Sequence, residues 1–298
     1  MKTLAELIAA GRPSTDPPVA STHAARIERF SAAAGTLPFG WTPIDPAGKP
    51  GAVARSYSWR RFTGAVRMAC GTAKAAHRGH PGRAICAILA ASLQSLGPLT
   101  GATEIEAALR HLPYSDVLTL LVSRLFARNP KGVELHAESS CMKCGKATGP
   151  GVLMTPEHVN VGLVDWIAGS EPRAIVWLED AVTVAGVTFS AVVVGGVSWE
   201  ALFGDCSREQ FQNADRTTVR AGAASIVAVV DGKGQIVDMP IPTETAVELF
   251  AENEFDRLAQ AAYDCSSGVS IVGAVPCRYP GCGGSIAVPF DILTLGFG

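Results

Sequence analysis

An α+β fold is predicted by three observations. Stretches with apolar residues at helical spacing occur on both sides of a Val- and Thr-rich segment punctuated by glycines. On each side a helix pair leads into a short strand. Each strand in turn leads into two closely spaced cysteines, Cys141 with Cys144 and Cys277 with Cys282. The expected architecture is two helix-helix-strand-knuckle modules joined by a strand-rich segment, with a zinc-ribbon-like cysteine site between the halves.

In chain order, residues 1–55 are rich in Pro, Gly, Ala and Ser and read as an extended N-terminal arm with one helical candidate at 24–34. The arm either packs along a neighbouring subunit or folds back on its own domain. The first module spans 56–168. It opens with a strand in "RSYSWRRFTGAVRM" (55–68), followed by a helical region from about residue 72. "RAICAILAASLQSLG" (83–97) places Ile85, Ile88, Leu89, Leu93 and Leu96 on one helical face, ended by a glycine. In "TEIEAALRHL", Thr103 and Glu106 have capping-box spacing, and Ile105, Ala108, Leu109 and Leu112 form an apolar stripe. "SDVLTLLVSRLF" starts a further helix with Ser115 as its N-cap, and "VELHA" is a strand entering the first cysteine pair.

Residues 169–219 form the strand-rich segment, with two or three strands and a turn into a helix. The second module, 220–298, begins with a hairpin in "ASIVAVVDGKGQIV". Two short helices follow, the second with Phe255, Leu258, Ala259 and Ala262 on one face, then the strand "GVSIVGAV", the second knuckle and an apolar C-terminal tail. Arg83 precedes Cys141 by 58 residues and Arg220 precedes Cys277 by 57, so the modules read as a duplication.

With 298 residues, 48% of them hydrophobic and 17% charged, the chain can build a packed core without crosslinks. A formal charge of -2 provides no field that would attract nucleic acid or an anionic membrane. The opening "MKTLAELIAAGRPSTDPP" is interrupted by Glu6, is too short to span a bilayer and lacks a secretory cleavage pattern, which points to a reducing cytoplasm. In that compartment eight cysteines are thiols and metal ligands rather than disulfides.

A closed structural zinc site needs four ligands, so one C-x-x-C calls for a second pair. Cys141, Cys144, Cys277 and Cys282 supply them, with disulfides at the same cysteines as the alternative. Gly145 and Gly283 stand just past each pair, where a positive φ costs glycine nothing. Four thiolates around a dication leave a net charge of about minus two, which Lys143, Lys146 and Arg278 are placed to relieve. Such a site can contribute about 10 to 16 kcal/mol, more than a domain's net stability.

Other chemistry has weaker signals. Cys70, Cys86, Cys206 and Cys265 lack ligand spacing and read as buried thiols. His77 and His80 are three apart but no carboxylate or cysteine accompanies them, and His136, five residues before Cys141, is either a replacement ligand or a strand residue. A redox dithiol would open a helix, whereas "CMKCGKATGPGV" runs on into glycine and proline. A cysteine protease would pair Cys141 or Cys206 with His158 or His111, and nothing in the spacing favours it. No phosphate loop, dinucleotide fingerprint or serine nucleophile elbow is present.

The stretch "SLGPLTGATEIEAALRHLPYSDVLTLLVSRLFARNPKGVELHAESSCMKCG", with the ending "CRYPGCGGSIAVPFDILTLGFG", resembles the baseplate hub and assembly proteins of contractile-tailed bacteriophages and related contractile injection systems. The shared pattern is a glycine-containing segment, a helix pair around "LP..D..LL", a strand, a C-x-x-C-G knuckle, and a second knuckle near the end. It covers roughly 83–150 and 220–298, and the four intervening residues of the second knuckle depart from it. The resemblance implies a non-enzymatic baseplate component with Cys141, Cys144, Cys277 and Cys282 as its ligand set. Its partners would be other baseplate, hub and tail-tube proteins, with no nucleic acid and no membrane. It would be assembled in the host cytoplasm and then carried in the virion tail, its termini docking on neighbours. A cytoplasmic zinc-ribbon adaptor unrelated to tails is the alternative.

Overall fold

The computed structural model describes residues 26–30, 34–44, 47–135, 140–147, 152–167, 172–176, 183–184, 187–231, 236–238, 243–265, 271–288 and 295–296. Helices and sheets are mixed, as the α+β expectation requires, and they enclose two main hydrophobic cores. Among the described residues no helix is long and apolar enough to cross a membrane.

The first core surrounds helix α2 (Pro81–Ser92), in which Ala84 to Ala90 are all buried. A helix apolar all round must be covered all round. Its neighbours are α1 (Gly64–Ala76), α3 (Ala102–His111), α4 (Tyr114–Arg128) and α5 (Trp199–Phe203). The expected α3 stripe is buried at Ile105 and Leu109 and continues into buried Leu112. An antiparallel sheet of β2 (Ala34–Trp41), β3 (Ala54–Trp59) and β4 (Leu93–Leu96) completes this core. Trp59 Nε1 donates to Ser123 Oγ of α4 at 2.8 Å, tying sheet to helix.

Several local expectations are corrected here, each because a distant partner or a local side chain outweighs the pattern. The helix expected at 24–34 is replaced by strand β1 (Arg26–Arg29) and the start of β2, since both find strands to pair with. The strand expected across 55–68 stops at Trp59, and Thr63 starts α1 by accepting from Val66 N. The helix expected through Leu96 ends at Ser92, where Ser92 Oγ donates back to Ile88 O and Leu93–Leu96 pairs with β3. The Thr103–Glu106 capping box does not form: Gly101 is the N-cap, and Glu106 accepts from Arg110 one turn on at 2.9 Å. Ser115 lies inside α4, which follows Pro113.

The second core lies under a sheet ordered β12 (Ile236–Asp238), β11 (Ile226–Asp231), β10 (Val187–Val194) and β8 (Arg173–Val176), with β9 (Thr183–Val184) also on β10. The expected hairpin is the β11–β12 pair. Helices α7 (Ala214–Ser225), α8 (Thr243–Leu249) and α9 (Glu252–Cys265) cover this sheet, with Phe255, Leu258 and Ala262 of α9 turned inward. At Gly222 of α7 a Cβ would lie 2.8 Å from Phe255 O, so glycine sets how closely α7 and α9 approach.

Within the first core, α5 and α6 (Arg208–Gln212) bring Trp199, Phe203 and Phe211 together. Trp199 is fully buried, and its Nε1 donates to Gly82 O at 3.0 Å. At Gly82 a Cβ would meet Phe203 O at 2.1 Å, a backbone contact that cannot yield. A third sheet joins distant parts of the chain in the order β1, β7 (Val159–Leu163), β13 (Ile271–Pro276), β14 (Ser285–Val288). Residues 26–29 and 34–41, within the stretch read as an arm, are therefore strands of this body, while 1–25 lie outside the described residues. Of the C-terminal tail, Leu295 is buried in the first core, and 289–294 and 297–298 lie outside the described residues.

Asp116, in the first turn of α4, holds that helix against β2. It is fully buried, and Phe39 N and Gly40 N each donate to one of its oxygens at 2.8 Å. Gly40 is held at φ 72°, and a Cβ there would lie 2.5 Å from Ala54 O. Burial pushes the Asp116 carboxyl from 3.8 up to about 7, with the two N–H bonds and nearby Arg55 pulling the other way. The folded value is above the unfolded one, so this contribution to stability is complete below about pH 4 and is lost as pH rises through about 7. Asp116→Asn removes the titration. In urea unfolding, the stability difference between parent and variant is expected to move in the variant's favour by up to about 4 kcal/mol between about pH 4 and pH 8. A difference that is flat with pH would contradict this account.

Candidate metal centre

The second knuckle is the loop of a β-hairpin. β13 and β14 pair through Pro276 and Ser285, and Cys277 N donates to Gly284 O at 2.9 Å to close the loop. Inside it Cys282 N donates to Tyr279 O at 3.1 Å, and Gly281 and Gly283 take φ values of 77° and 57°. The four intervening residues thus form a turn of their own that returns Cys282 beside Cys277. The first knuckle is tighter. Cys141 N donates to Lys146 O at 3.0 Å, Gly145 N donates to Cys141 O at 2.9 Å, and Gly145 has φ 67°. Both glycines expected at positive φ, Gly145 and Gly283, adopt it.

The knuckles are joined directly. Met142 N donates to Ser285 O at 3.2 Å, which extends the edge of β14 with the backbone of the first knuckle. Tyr279 Oη donates to Ala147 O at 3.3 Å, and Lys146 Nζ stands 4.4 Å from the centre of the Tyr279 ring. Lys146 therefore braces the join between the knuckles, and the Lys143 backbone N–H points at Cys141 Sγ from 3.4 Å.

This arrangement brings Cys141, Cys144, Cys277 and Cys282 together, with all four sulfurs within 4.8 Å of one another. Cys141 Sγ is 3.6 Å from Cys282 Sγ, and Cys144 Sγ is 3.8 Å from Cys277 Sγ. With metal–sulfur bonds of about 2.3 Å, a regular tetrahedron has edges of about 3.8 Å. A disulfide needs about 2.05 Å. The disulfide alternative is thus corrected: all four are free thiols, spaced as ligands of one ion. Cys141 is buried in the first core, Cys277 and Cys282 pack against it, and Cys144 reaches the surface.

The thiols are not equivalent. The N–H groups of Cys144 and Lys143 hold Cys141 down at about 6. Cys277 is drawn down by the N–H of Tyr279 but held up overall by burial and by Cys141, and Cys282 is pushed up to about 12, first by burial and then by Cys144. Four like charges cannot share so small a space unaided. A dication at their centre supplies the compensating charge and makes the fully ionised set stable.

The remaining candidates separate in the fold. Cys86, Cys206 and Cys265 are fully buried, and burial raises all three, Cys265 to about 12. Cys70 is half-buried beside Ser92 Oγ at 3.3 Å. Cys206 Sγ donates to Leu202 O, and His158 Nδ1 accepts from Thr155 N, so the hydrogen bonds of both serve local structure. His77 does have an acidic neighbour, Glu106 Oε1 at 3.9 Å, which its own sequence neighbourhood could not reveal because it comes from α3. His136 lies outside the described residues. Among the described residues, the four cysteines are the single group of three or more potential ligands close enough to share an ion.

Comparison with protein-family models, curated proteins and solved structures finds no match to this chain. The candidate centre therefore rests on its geometry.

One residue of the site has no signal in the cysteine spacing. At Gly284 a Cβ would lie 2.7 Å from Lys143 Cβ, 2.8 Å from Cys141 Sγ and 3.2 Å from Cys282 Sγ, whereas at Gly145 nothing lies within 4 Å. Gly145→Ala is expected to cost about 1–2 kcal/mol through backbone strain alone and to leave the metal affinity nearly unchanged. Gly284→Ala forces the sulfurs apart. It should cost about 1–3 kcal/mol in denaturant unfolding and weaken metal retention in a chelator competition. Equal metal affinity in the two variants would contradict this distinction.

Proposed function

We propose that this chain is a structural or assembly component of a contractile tail baseplate, non-enzymatic, with a zinc ion bound by Cys141, Cys144, Cys277 and Cys282 locking its first and last parts together. The observation that carries the reading is the tetrahedral sulfur spacing, 3.6 and 3.8 Å across the two knuckles. Thiolate-only sites with all four positions filled by protein are structural, because no position remains for water or substrate. The ion then acts as a clamp that makes the shape of the body independent of its partners.

The baseplate part of the proposal rests on the resemblance carried by residues 83–150 and 220–298. The order of helix, helix, strand and knuckle in that resemblance is the order of α3, α4, β5 (Val133–Leu135) and Cys141–Cys144. The second occurrence, α8, α9, β13 and Cys277–Cys282, supports two modules meeting at their knuckles, although β5 pairs with β6 (Val152–Met154) and β13 with β7 and β14. In this role the protein assembles in the host cytoplasm among hub, baseplate and tail-tube proteins and then enters the virion tail.

Two measurements test the proposal separately. The purified chain is expected to carry about one zinc per molecule, and Cys141→Ser, at the buried ligand, should abolish retention and lower the unfolding midpoint sharply. A metal-free chain with unchanged stability would remove the clamp. Electron microscopy of assembly intermediates with the chain tagged is expected to place it in a ring with tube and sheath subunits. Consistent recovery in a complex lacking tail proteins would favour a zinc-ribbon adaptor instead.

A further inference from the structure

Away from the knuckles, a cavity of about 540 Å3 opens beneath α1, between that helix, α2 and α4. Four cations line it, Arg67 and Lys74 from α1 and Arg124 and Arg128 from α4, and among the described residues its lining includes no carboxylate. The chain as a whole has slightly more acidic than basic residues, so this local excess is not a consequence of composition.

Arg124 is the unusual member. It is only 6% exposed, and its partners among the described residues are neutral: Nε donates to Ser92 Oγ at 3.1 Å and a terminal nitrogen approaches Cys70 Sγ at 3.9 Å. Other arginines have carboxylate partners, as in Arg110 with Glu106 and Arg257 with Glu254, both at 2.9 Å. A buried guanidinium without a counter-charge is costly, and Arg128 one turn further along α4 adds like charge on the same side. The arrangement is stabilised when an anion enters. A planar guanidinium at the base of a cleft with further cations at its mouth suits the oxygens of a phosphate or carboxylate group, which it can grip through paired N–H bonds. Low-dielectric walls focus the field of all four cations into the cleft.

We propose that the cleft between α1 and α4 is an oxyanion-binding site, with Arg124 as its buried anchor and Arg67, Lys74 and Arg128 at its mouth, for a phosphate or carboxylate group. The group it takes is carried by a free anion or by a partner. The site is independent of the cysteine centre and of the baseplate reading.

Inorganic phosphate, compared with chloride at constant ionic strength, is the probe. Thermal unfolding of the full chain is expected to rise progressively with phosphate concentration. The double variant Arg67→Gln with Lys74→Gln, at exposed helix positions, should weaken the apparent phosphate affinity about tenfold or more while leaving the unfolding temperature in chloride near that of the parent. Arg124→Gln should abolish the response; the exposed double variant keeps the test valid if that buried substitution misfolds. The proposal is overturned if phosphate protects no better than chloride, or if the double variant responds as the parent does.

Discussion

The fold depends on two turns, remote in sequence, being held face to face. Cys141 and Cys282 are 141 residues apart, yet their sulfurs are 3.6 Å apart, and the backbone of one knuckle hydrogen-bonds to the strand leaving the other. Closing a loop of that length costs entropy that grows only slowly with length, so one strong joint can close it. Backbone hydrogen bonds alone, each worth about 1 kcal/mol net, hold such a joint weakly. An ion held by the four sulfurs would change that balance, because metal binding in a structural site is coupled to folding.

The rest of the molecule transmits this constraint through contacts of a few specific residues. The β13–β14 hairpin that carries the second knuckle lies in the same sheet as β7 and β1, so clamping the knuckles also orders a strand from near the start of the chain. Cys141 is a member of the first core, which continues through α2 and α4 to Trp199 and the Gly82–Phe203 contact. Beyond them lies the second core under α7, α8 and α9. The sulfur cluster is thus an extension of the main core. Disturbing it should be felt in packing well away from the sulfurs.

Charge is used sparingly and locally. Asp116 is buried and receives two backbone N–H groups, an arrangement that fixes the bend of β2 at Gly40 against α4. Arg83, Arg216 and Arg220 donate to the carbonyls of Gly204, Leu202 and Ala201 at the end of α5, where a helix leaves acceptors without partners. Arg124 follows neither pattern, and this sets the α1–α4 cleft apart from the structural charges.

Much of the helical core was legible in the sequence. Ile85, Ile88 and Leu89, the Ile105–Leu109 stripe and the inward face of α9 follow from local periodicity, because a helix buries the side that its own spacing makes apolar. The cysteine site was legible for a similar reason, since ligand chemistry demands four donors and the chain offers two matched pairs. Strand identity and helix ends were not. Leu93–Leu96 has a pattern that suits either state, and the free edge of β3 decided it; Arg26–Arg29 looked helical until β7 offered a partner. Gly284 shows the same limit at the site itself, since its neighbour Gly283 has the turn conformation, but only the approach of Lys143 and Cys141 from a distant segment leaves no room for a side chain. The sequence alone determined which residues could be ligands and which faces must be buried, because those are properties of side chains and of local spacing. Tertiary structure decided which edges pair and which glycines are sterically required, because those depend on what arrives from elsewhere in the chain.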